Sequence, residues 1–91
     1  MNFEWDPLKN EKNLIKHDVD FPYAAAIFLG PVLEKEDTRY QYVEPRICAI
    51  GQADGVVLFV VYTWRGLNRR LISARLASRK EKTAYQSYMK E

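Results

Sequence analysis

The chain has 91 residues, of which 47% are hydrophobic and 29% are charged. This balance predicts a single folded domain over residues 1–91 and excludes an intrinsically disordered chain. The longest apolar stretch, Val56–Thr63, is far shorter than the roughly 20 residues of a membrane helix. The N-terminus lacks a signal-peptide pattern, so no membrane partner is expected. Cys48 is the only cysteine, which excludes an internal disulfide and favours a reducing compartment such as the cytoplasm.

The net charge of +2 is the sum of two unlike halves. Residues 1–54 carry six Lys and Arg against ten Asp and Glu, a net charge of −4. Residues 55–91 carry eight against two, a net charge of +6, with most of the cations between Trp64 and Lys82. This asymmetry indicates a nucleic-acid partner. A basic terminal helix with a solvated face would explain the same numbers.

The first third of the chain predicts a short strand and two helices. Phe3–Trp5 is typical of a strand. Asp6 and Pro7 then form a helix start, because the Asp side chain caps free N–H groups and Pro suits the first helical position. The predicted helices are Pro7–His17 and Tyr23–Leu29. A second helix start at Asp20–Pro22 precedes Tyr23–Leu29, and Gly30–Pro31 ends it.

The remainder predicts β-structure followed by one helix. Extended segments are expected at Val32–Leu33, Tyr40–Val43, Arg46–Gly51, Val56–Trp64 and Arg69–Leu76. Val56–Trp64 is apolar on both faces, which is typical of a central strand. Ser78 and Glu81 form a capping box for a final helix over Arg79–Met89. The sequence therefore predicts an α+β domain, a small twisted antiparallel sheet with two N-terminal helices and a C-terminal helix packed on one face.

Arginines concentrate on and around the last predicted strand. A period of two places Ile72, Ala74 and Leu76 toward the core, with Ser73 and Arg75 on the opposite face. Arginine forks suit phosphate, since each donates two hydrogen bonds at once. Alternatively, the arginines pair with carboxylates of the acidic half within the same molecule. The acidic residues considered for this pairing are Glu4, Asp6, Glu11, Asp18 and Asp20.

Few other side chains offer acid–base or nucleophilic chemistry. His17 is the sole histidine, so it is a candidate for proton transfer. A cationic residue that complements the dipole at the end of the first helix is the simpler interpretation. Cys48 is expected to be a buried structural thiol. Tyr85 is exposed enough on the predicted last helix to be available for function. No metal-ligand spacing or glycine-rich phosphate loop is present, and no cofactor is predicted.

Three groups of residues, in this order along nearly the whole chain, resemble the BrnT family. The opening is similar at Phe3–Asp6, Lys9, Asn13, Lys16, His17, Val19 and Phe21. Arg46–Gly51 resembles the family's central strand. The C-terminal signature is similar at Arg70–Arg75, Ala77, Arg79, Glu81 and Tyr85.

The resemblance implies a toxin of a bacterial type II toxin–antitoxin pair, with a RelE-like fold. It implies a ribonuclease that arrests translation and growth and is neutralised by a BrnA-type antitoxin, which also supplies binding to operator DNA. Metal-independent RNA cleavage uses the neighbouring 2′-hydroxyl as nucleophile and needs a base, an acid and positive charge at phosphorus. On this hypothesis Arg65, Arg70, Arg75 and Arg79 bind the phosphate. His17 or Tyr85 transfers protons, with His17 favoured by the family motif, and Ser73 orients the substrate.

Two other functions are consistent with the same basic surface. One is a catalytically inactive interaction module that docks an acidic partner. The other is a plain RNA- or DNA-binding domain, whose affinity would fall steeply with salt without any cleavage.

Overall fold

The computed structural model describes residues 2–91, which form one five-stranded sheet with helices packed around it. The strands are β1 (Asn2–Glu4), β2 (Leu33–Asp37), β3 (Arg46–Ala53), β4 (Val56–Arg65) and β5 (Asn68–Leu76). The helices are α1 (Pro7–His17), α2 (Phe21–Ala25), which continues as a 3₁₀ turn (Ala26–Leu29), and α3 (Arg79–Met89).

The predicted helix starts are confirmed atom by atom. The Asp6 carboxylate accepts a hydrogen bond from the Leu8 N–H at 2.9 Å, and Asp20 accepts one from the Tyr23 N–H at 2.9 Å. At α3, Ser78 and Glu81 form both hydrogen bonds of the capping box. These caps satisfy N–H groups that have no partner within the helix.

The sheet has the order β1-β5-β4-β3-β2, so the strand predicted to be central lies in the middle. The prediction of a purely antiparallel sheet is wrong, because β1 pairs with β5 in parallel. The N-terminal strand enters beside the last strand rather than beside its sequence neighbour. The segment Tyr40–Val43, expected to be extended, belongs to the loop between β2 and β3.

A β-bulge in β5 decides which residues face the core. Val61 lies opposite Ser73, whereas Tyr62 lies opposite Leu71, so Ile72 has no direct partner in β4. The extra residue inverts the alternation of the strand. Leu71 is therefore buried on the same face as Ala74, whereas Ile72 lies on the opposite face and lines a cavity there. Leu76, the last residue of β5, is 57% exposed. Of the predicted core set Ile72, Ala74 and Leu76, only Ala74 is buried.

The core lies on one face of the sheet, here called the helix face. There α2 and the 3₁₀ turn pack Phe21, Ala24, Ile27 and Phe28 against residues of the sheet. The sheet residues in this cluster are Ala49, Ala53, Leu58, Val60, Tyr62, Leu71 and Ala74.

The C-terminal helix does not follow the expectation that all helices share one face. It contacts β3, and its Glu81 reaches Arg75 on the opposite face of the sheet. Tyr85 is its buried anchor, and the Tyr85 hydroxyl donates to the Pro31 carbonyl at 3.0 Å. The opposite face is thus partly walled by α3 rather than fully open.

Candidate RNA-binding and catalytic site

The opposite face of the sheet holds two cavities. The larger, of about 800 Å³, lies between strands β2 to β5 and the start of α3. Its polar and charged lining side chains are Glu34, Lys35, Glu36, Asp37, Thr38, Arg39, Cys48, Ser73, Arg75 and Glu81. The smaller, of about 360 Å³, lies beside it and is lined by Lys9, Glu44, Arg46, Thr63, Arg65 and Arg70.

Arg75 is a cation of the larger cavity whose position is fixed by an ion pair with Glu81. Its guanidinium donates to both carboxylate oxygens of Glu81, at 2.8 and 3.0 Å, and lies 4.2 Å from the centre of the Phe59 ring. Hydrogen bonding from Arg75 holds the pKa of Glu81 below its usual range. This arrangement places a guanidinium group and an ionised carboxylate side by side in one cleft.

Asp37 fixes a second cation in the same cavity. Arg39 donates to the two oxygens of this buried carboxylate at 2.9 and 3.0 Å, and the Tyr42 hydroxyl donates to it at 2.9 Å. The hydrogen bonds from Arg39 are the main reason that the pKa of Asp37 lies far below its ordinary value. Asp37 therefore stays ionised near neutral pH and orients the loop after β2.

Cys48 and Ser73 line the same cavity as these two ion pairs. Cys48 is half-buried, and burial raises the pKa of its thiol. A raised pKa keeps the thiol protonated near neutrality, so Cys48 is a poor nucleophile. This agrees with its interpretation as a structural residue, although it is less buried than expected.

The cations of the smaller cavity come from four different elements or loops. Arg65 donates to both oxygens of Glu44, at 2.8 and 2.9 Å, and Arg70 donates to Glu4 at 2.9 Å. The Arg46 guanidinium lies 4.3 Å from the centre of the Tyr42 ring. Within residues 2–91, neither Lys9 nor Arg46 is in an ion pair with a carboxylate.

The seven residues predicted to form one site are thus divided. Ser73 and Arg75 share the larger cavity, and Arg65 and Arg70 share the smaller one. The other three lie outside both. His17 ends α1, where it complements the helix dipole together with Lys16; Arg79 is the exposed first residue of α3; Tyr85 is buried.

The intramolecular pairing considered for the arginines is found at Arg70, whose partner Glu4 was one of the candidates. Arg65 also pairs within the acidic half, with Glu44, whereas Arg75 pairs with its near neighbour Glu81. Each predicted phosphate-binding arginine of the two cavities therefore already has a carboxylate partner.

Sequence reasoning missed Lys9, Arg39, Arg46 and Glu81 as site residues. The sequence did contain a pattern that places Arg46 at the site. Arg46, Cys48 and Ile50 are spaced two residues apart along one strand, so their side chains lie on the same face. No local pattern marks Lys9 or Arg39. Arg69, next to Arg70 in the sequence, faces the other way and lies over the rings of Phe28 and Trp64 at 4.4 and 4.6 Å.

Residues 2–91 contain no group of three or more His, Cys, Asp or Glu side chains arranged to hold a metal ion. None of the helices over this range combines the length and apolar character required to cross a membrane.

Comparison with known proteins identifies the family. Residues 5–81 match the family described as "Ribonuclease toxin, BrnT, of type II toxin-antitoxin system". The chain is also similar to the crystal structure of the Brucella abortus ribonuclease toxin BrnT, with a TM-score of 0.66 and 29% sequence identity over 87% of this chain and 99% of that chain. No curated protein sequence matches it. The chain therefore belongs to the BrnT family of ribonuclease toxins of type II toxin–antitoxin systems.

Proposed function

We propose that this chain cleaves RNA without a metal ion and that the scissile phosphate binds in the larger cavity. The observation that carries the proposal is the Arg75–Glu81 pair, which joins a phosphate-binding fork to an ionised carboxylate on the wall of one cleft. Family membership supports RNA as the substrate class.

In the proposed reaction, Glu81 removes the proton of the 2′-hydroxyl as that oxygen attacks the adjacent phosphorus. The new O2′–P bond forms while the P–O5′ bond breaks, and the 5′-oxygen takes a proton from water. The products are a 2′,3′-cyclic phosphate and a 5′-hydroxyl. Arg75, with Arg39 across the cavity, stabilises the charge that accumulates on the phosphoryl oxygens. Ser73 orients the substrate, as expected from the sequence.

The proposal moves the proton-accepting role from His17 or Tyr85 to Glu81. Tyr85 is 3% exposed and its hydroxyl is bonded to the Pro31 carbonyl. His17 ends a helix that is anchored to the backbone of β5, because the Asn13 side chain bonds to the backbone of Ala74. Neither lines the cavity that contains Arg75.

The test is the cleavage of single-stranded RNA by the purified full-length protein. Arg75→Ala and Glu81→Gln are each expected to lower kcat/KM by at least about 100-fold. Glutamine at position 81 preserves the capping box, so the loss reports charge rather than helix stability. Lys80→Ala is the matched control, since Lys80 is exposed on the same helical turn.

Three results would contradict the assignment. Full activity in Glu81→Gln would remove Glu81 as the base. A loss in His17→Ala equal to that in Arg75→Ala would return proton transfer to His17. Complete inhibition by a chelator, with recovery on adding Mg²⁺, would overturn the metal-independent mechanism.

Membership in a type II toxin family implies a protein antitoxin and an RNA target. We propose that this chain acts in the cytoplasm and arrests translation, that a BrnA-type antitoxin neutralises it, and that the complex contacts operator DNA only through the antitoxin. Induced expression with and without the antitoxin tests this: growth should stop only without it, and Arg75→Ala should restore growth. Growth that is unaffected by the wild-type chain would contradict the proposal.

The RelE-like character of the fold remains a prediction.

One observation favours a second function, a non-catalytic interaction module. Arg65, Arg70 and Arg75 are each neutralised by a carboxylate, which is a stable arrangement without RNA. A protein that binds the antitoxin but yields no cyclic-phosphate product would identify this function.

A further inference from the structure

We propose that the smaller cavity is a second phosphate-binding subsite, which holds another phosphate of the same RNA strand through Lys9 and Arg46. The inference rests on the proposed function, because it extends the larger cavity into a track for single-stranded RNA. Neither residue belongs to the set that the sequence predicted.

The two cavities lie end to end on the same three strands. Along β3 the lining passes from Arg46 to Cys48, along β4 from Thr63 to Val61, and along β5 from Arg70 to Ser73. The first residue of each pair lines the smaller cavity and the second lines the larger. Arg75 pairs with Phe59 in β4, whereas Ile47, the neighbour of Arg46, pairs with Tyr62. Arg46 is thus offset from Arg75 by about four residues, or about 13 Å along the strands, a distance that about two nucleotides of an extended strand cover. Two phosphates of one strand can therefore occupy the two cavities at the same time.

The smaller cavity is strongly cationic. Lys9, Arg46, Arg65 and Arg70 line it, whereas Glu44 is the one carboxylate among the lining residues within the described range 2–91. The Arg65–Glu44 ion pair is about half exposed on both sides, at 48% and 42%. Exposed pairs of this kind contribute little to stability, so a phosphate can displace Glu44 at low cost.

Arg46 and Lys9 are the residues expected to bind the phosphate in the subsite. Within residues 2–91 neither is in an ion pair with a carboxylate, so no ion pair has to break before the phosphate binds. Arg46 is held in place by its contact with the Tyr42 ring, and the Tyr42 hydroxyl is in turn bonded to Asp37. Asp37 also holds Arg39 in the larger cavity. One buried carboxylate thus orients a cation toward each cavity, as a double phosphate contact requires.

The experiment measures binding of a fluorescent single-stranded RNA of about ten nucleotides, made uncleavable by 2′-O-methyl groups, to the full-length protein over a range of NaCl concentrations. Lys9→Ala and Arg46→Ala should each weaken binding on the order of tenfold. Each should also lower the slope of log affinity against log salt by about 0.7, the value for one phosphate of a single strand. Arg46→Lys should recover part of the affinity.

Lys12→Ala is the matched control, because Lys12 is exposed on the same helix as Lys9 and lines neither cavity. It should leave affinity and salt slope unchanged. Thermal unfolding of each variant checks that the fold is intact. Equal weakening by Lys9→Ala and Lys12→Ala, unchanged binding in Lys9→Ala and Arg46→Ala, or no binding of this RNA by the wild type would each overturn the subsite. Equally tight binding of polyglutamate, with the same dependence on Lys9 and Arg46, would assign the cavity to an acidic protein and overturn it as well.

A cleavage assay separates this inference from the proposed function. The ratio of kcat/KM for the long RNA to that for a dinucleotide, which has a single phosphodiester, should fall about tenfold in Arg46→Ala, mainly through KM. A ratio equal to that of the wild type would overturn the subsite while leaving catalysis at Arg75 intact. RNA binding that depends on Lys9 and Arg46 without any cleavage would support the subsite and overturn the catalytic proposal.

Discussion

Asn13 is the buried polar residue that joins α1 to the sheet. Its amide nitrogen donates to the carbonyls of Val19 and Ala74 at 2.7 and 2.8 Å, and its oxygen accepts from the Ala74 N–H at 3.1 Å. The side chain thereby satisfies backbone groups at the β-bulged strand that would otherwise be buried without partners. Asn13 is part of the family resemblance, and its position explains that role by structure rather than by catalysis.

We expect Asn13→Ala to lower the free energy of unfolding by about 3 kcal/mol, because three backbone groups lose their partners together. Urea unfolding followed by circular dichroism measures the change. The neighbouring exposed Lys12→Ala should change stability by no more than about 0.5 kcal/mol. A loss below about 1 kcal/mol in Asn13→Ala would mean that water replaces the amide.

Tyr62 shows how burial and an acidic neighbour keep a side chain out of acid–base chemistry. Its ring lies in the core at 1% exposure, and its hydroxyl donates to Glu34. Burial, with this bond, raises the Tyr62 pKa to about 12. Tyr62 therefore stays protonated throughout the working range of the protein.

At the scale of elements, the contact between β3 and the 3₁₀ turn depends on a glycine. A Cβ atom at Gly51 would lie 2.8 Å from the Ile27 Cβ and 3.0 Å from the Val32 Cγ1. The backbone of β3 can approach the turn only because position 51 has no side chain. Cys48 and Arg46 of the same strand lie on the opposite face, because side chains alternate along β3.

Gly51→Ala should destabilise the protein by about 1–3 kcal/mol through overpacking. Gly30→Ala is the matched control, since a Cβ there meets nothing within 4 Å, and it should be neutral within about 0.5 kcal/mol. Denaturant midpoints of the two variants provide the comparison. Equal stability of the two would show that the turn shifts away from β3 at no cost.

At the scale of the whole molecule, folding brings the acidic and basic halves of the chain together. Glu4 pairs with Arg70 across the parallel β1–β5 contact, and Glu44 pairs with Arg65 across the sheet end. The net charge of +2 thus conceals ion pairs between distant segments. Among the residues 2–91 that line the two cavities, the cations without an ion pair are Lys9, Lys35 and Arg46, and these are available to a polyanion.

The stability of the whole fold should fall in acid. The pKa values of Asp37, Glu4 and Glu81 are lowered by hydrogen bonds, chiefly from Arg39, Asn68 and Arg75 respectively. A carboxyl whose pKa is lower in the folded state contributes stability above its unfolded pKa, and loses it as the pH falls toward the folded value. The loss should therefore begin below about pH 5.

Asp37→Asn tests this assignment. The variant should be less stable than the wild type at pH 7. The difference should shrink as the pH falls, because the Asp37 carboxyl takes up a proton in the unfolded chain at a higher pH than in the folded protein. Urea unfolding at pH 7, 4 and 3 gives the profile. Glu36→Gln, an exposed change on the same strand, should follow the wild type. A difference that stays constant with pH would contradict the role of the Asp37 charge.

The sequence by itself determined the local structure and the family. Helix starts at Asp6, Asp20 and Ser78 follow from side chains that cap their own neighbours, and the central position of β4 follows from its apolar residues on both faces. These features depend on interactions a few residues apart or on composition, so pattern reasoning reaches them. The order of motifs along the chain was enough to indicate the BrnT family, which the comparison confirms.

Only the tertiary structure decided the composition of the site. The parallel entry of β1 brought Glu4 to Arg70, the bulge at Ile72 set which β5 residues share a face, and the loop after β2 carried Arg39 into the larger cavity. Register, bulges and long-range ion pairs arise between segments far apart in sequence, and local periodicity contains no information about them. The predicted single site of seven residues is therefore two adjoining cavities, with His17, Arg79 and Tyr85 outside them.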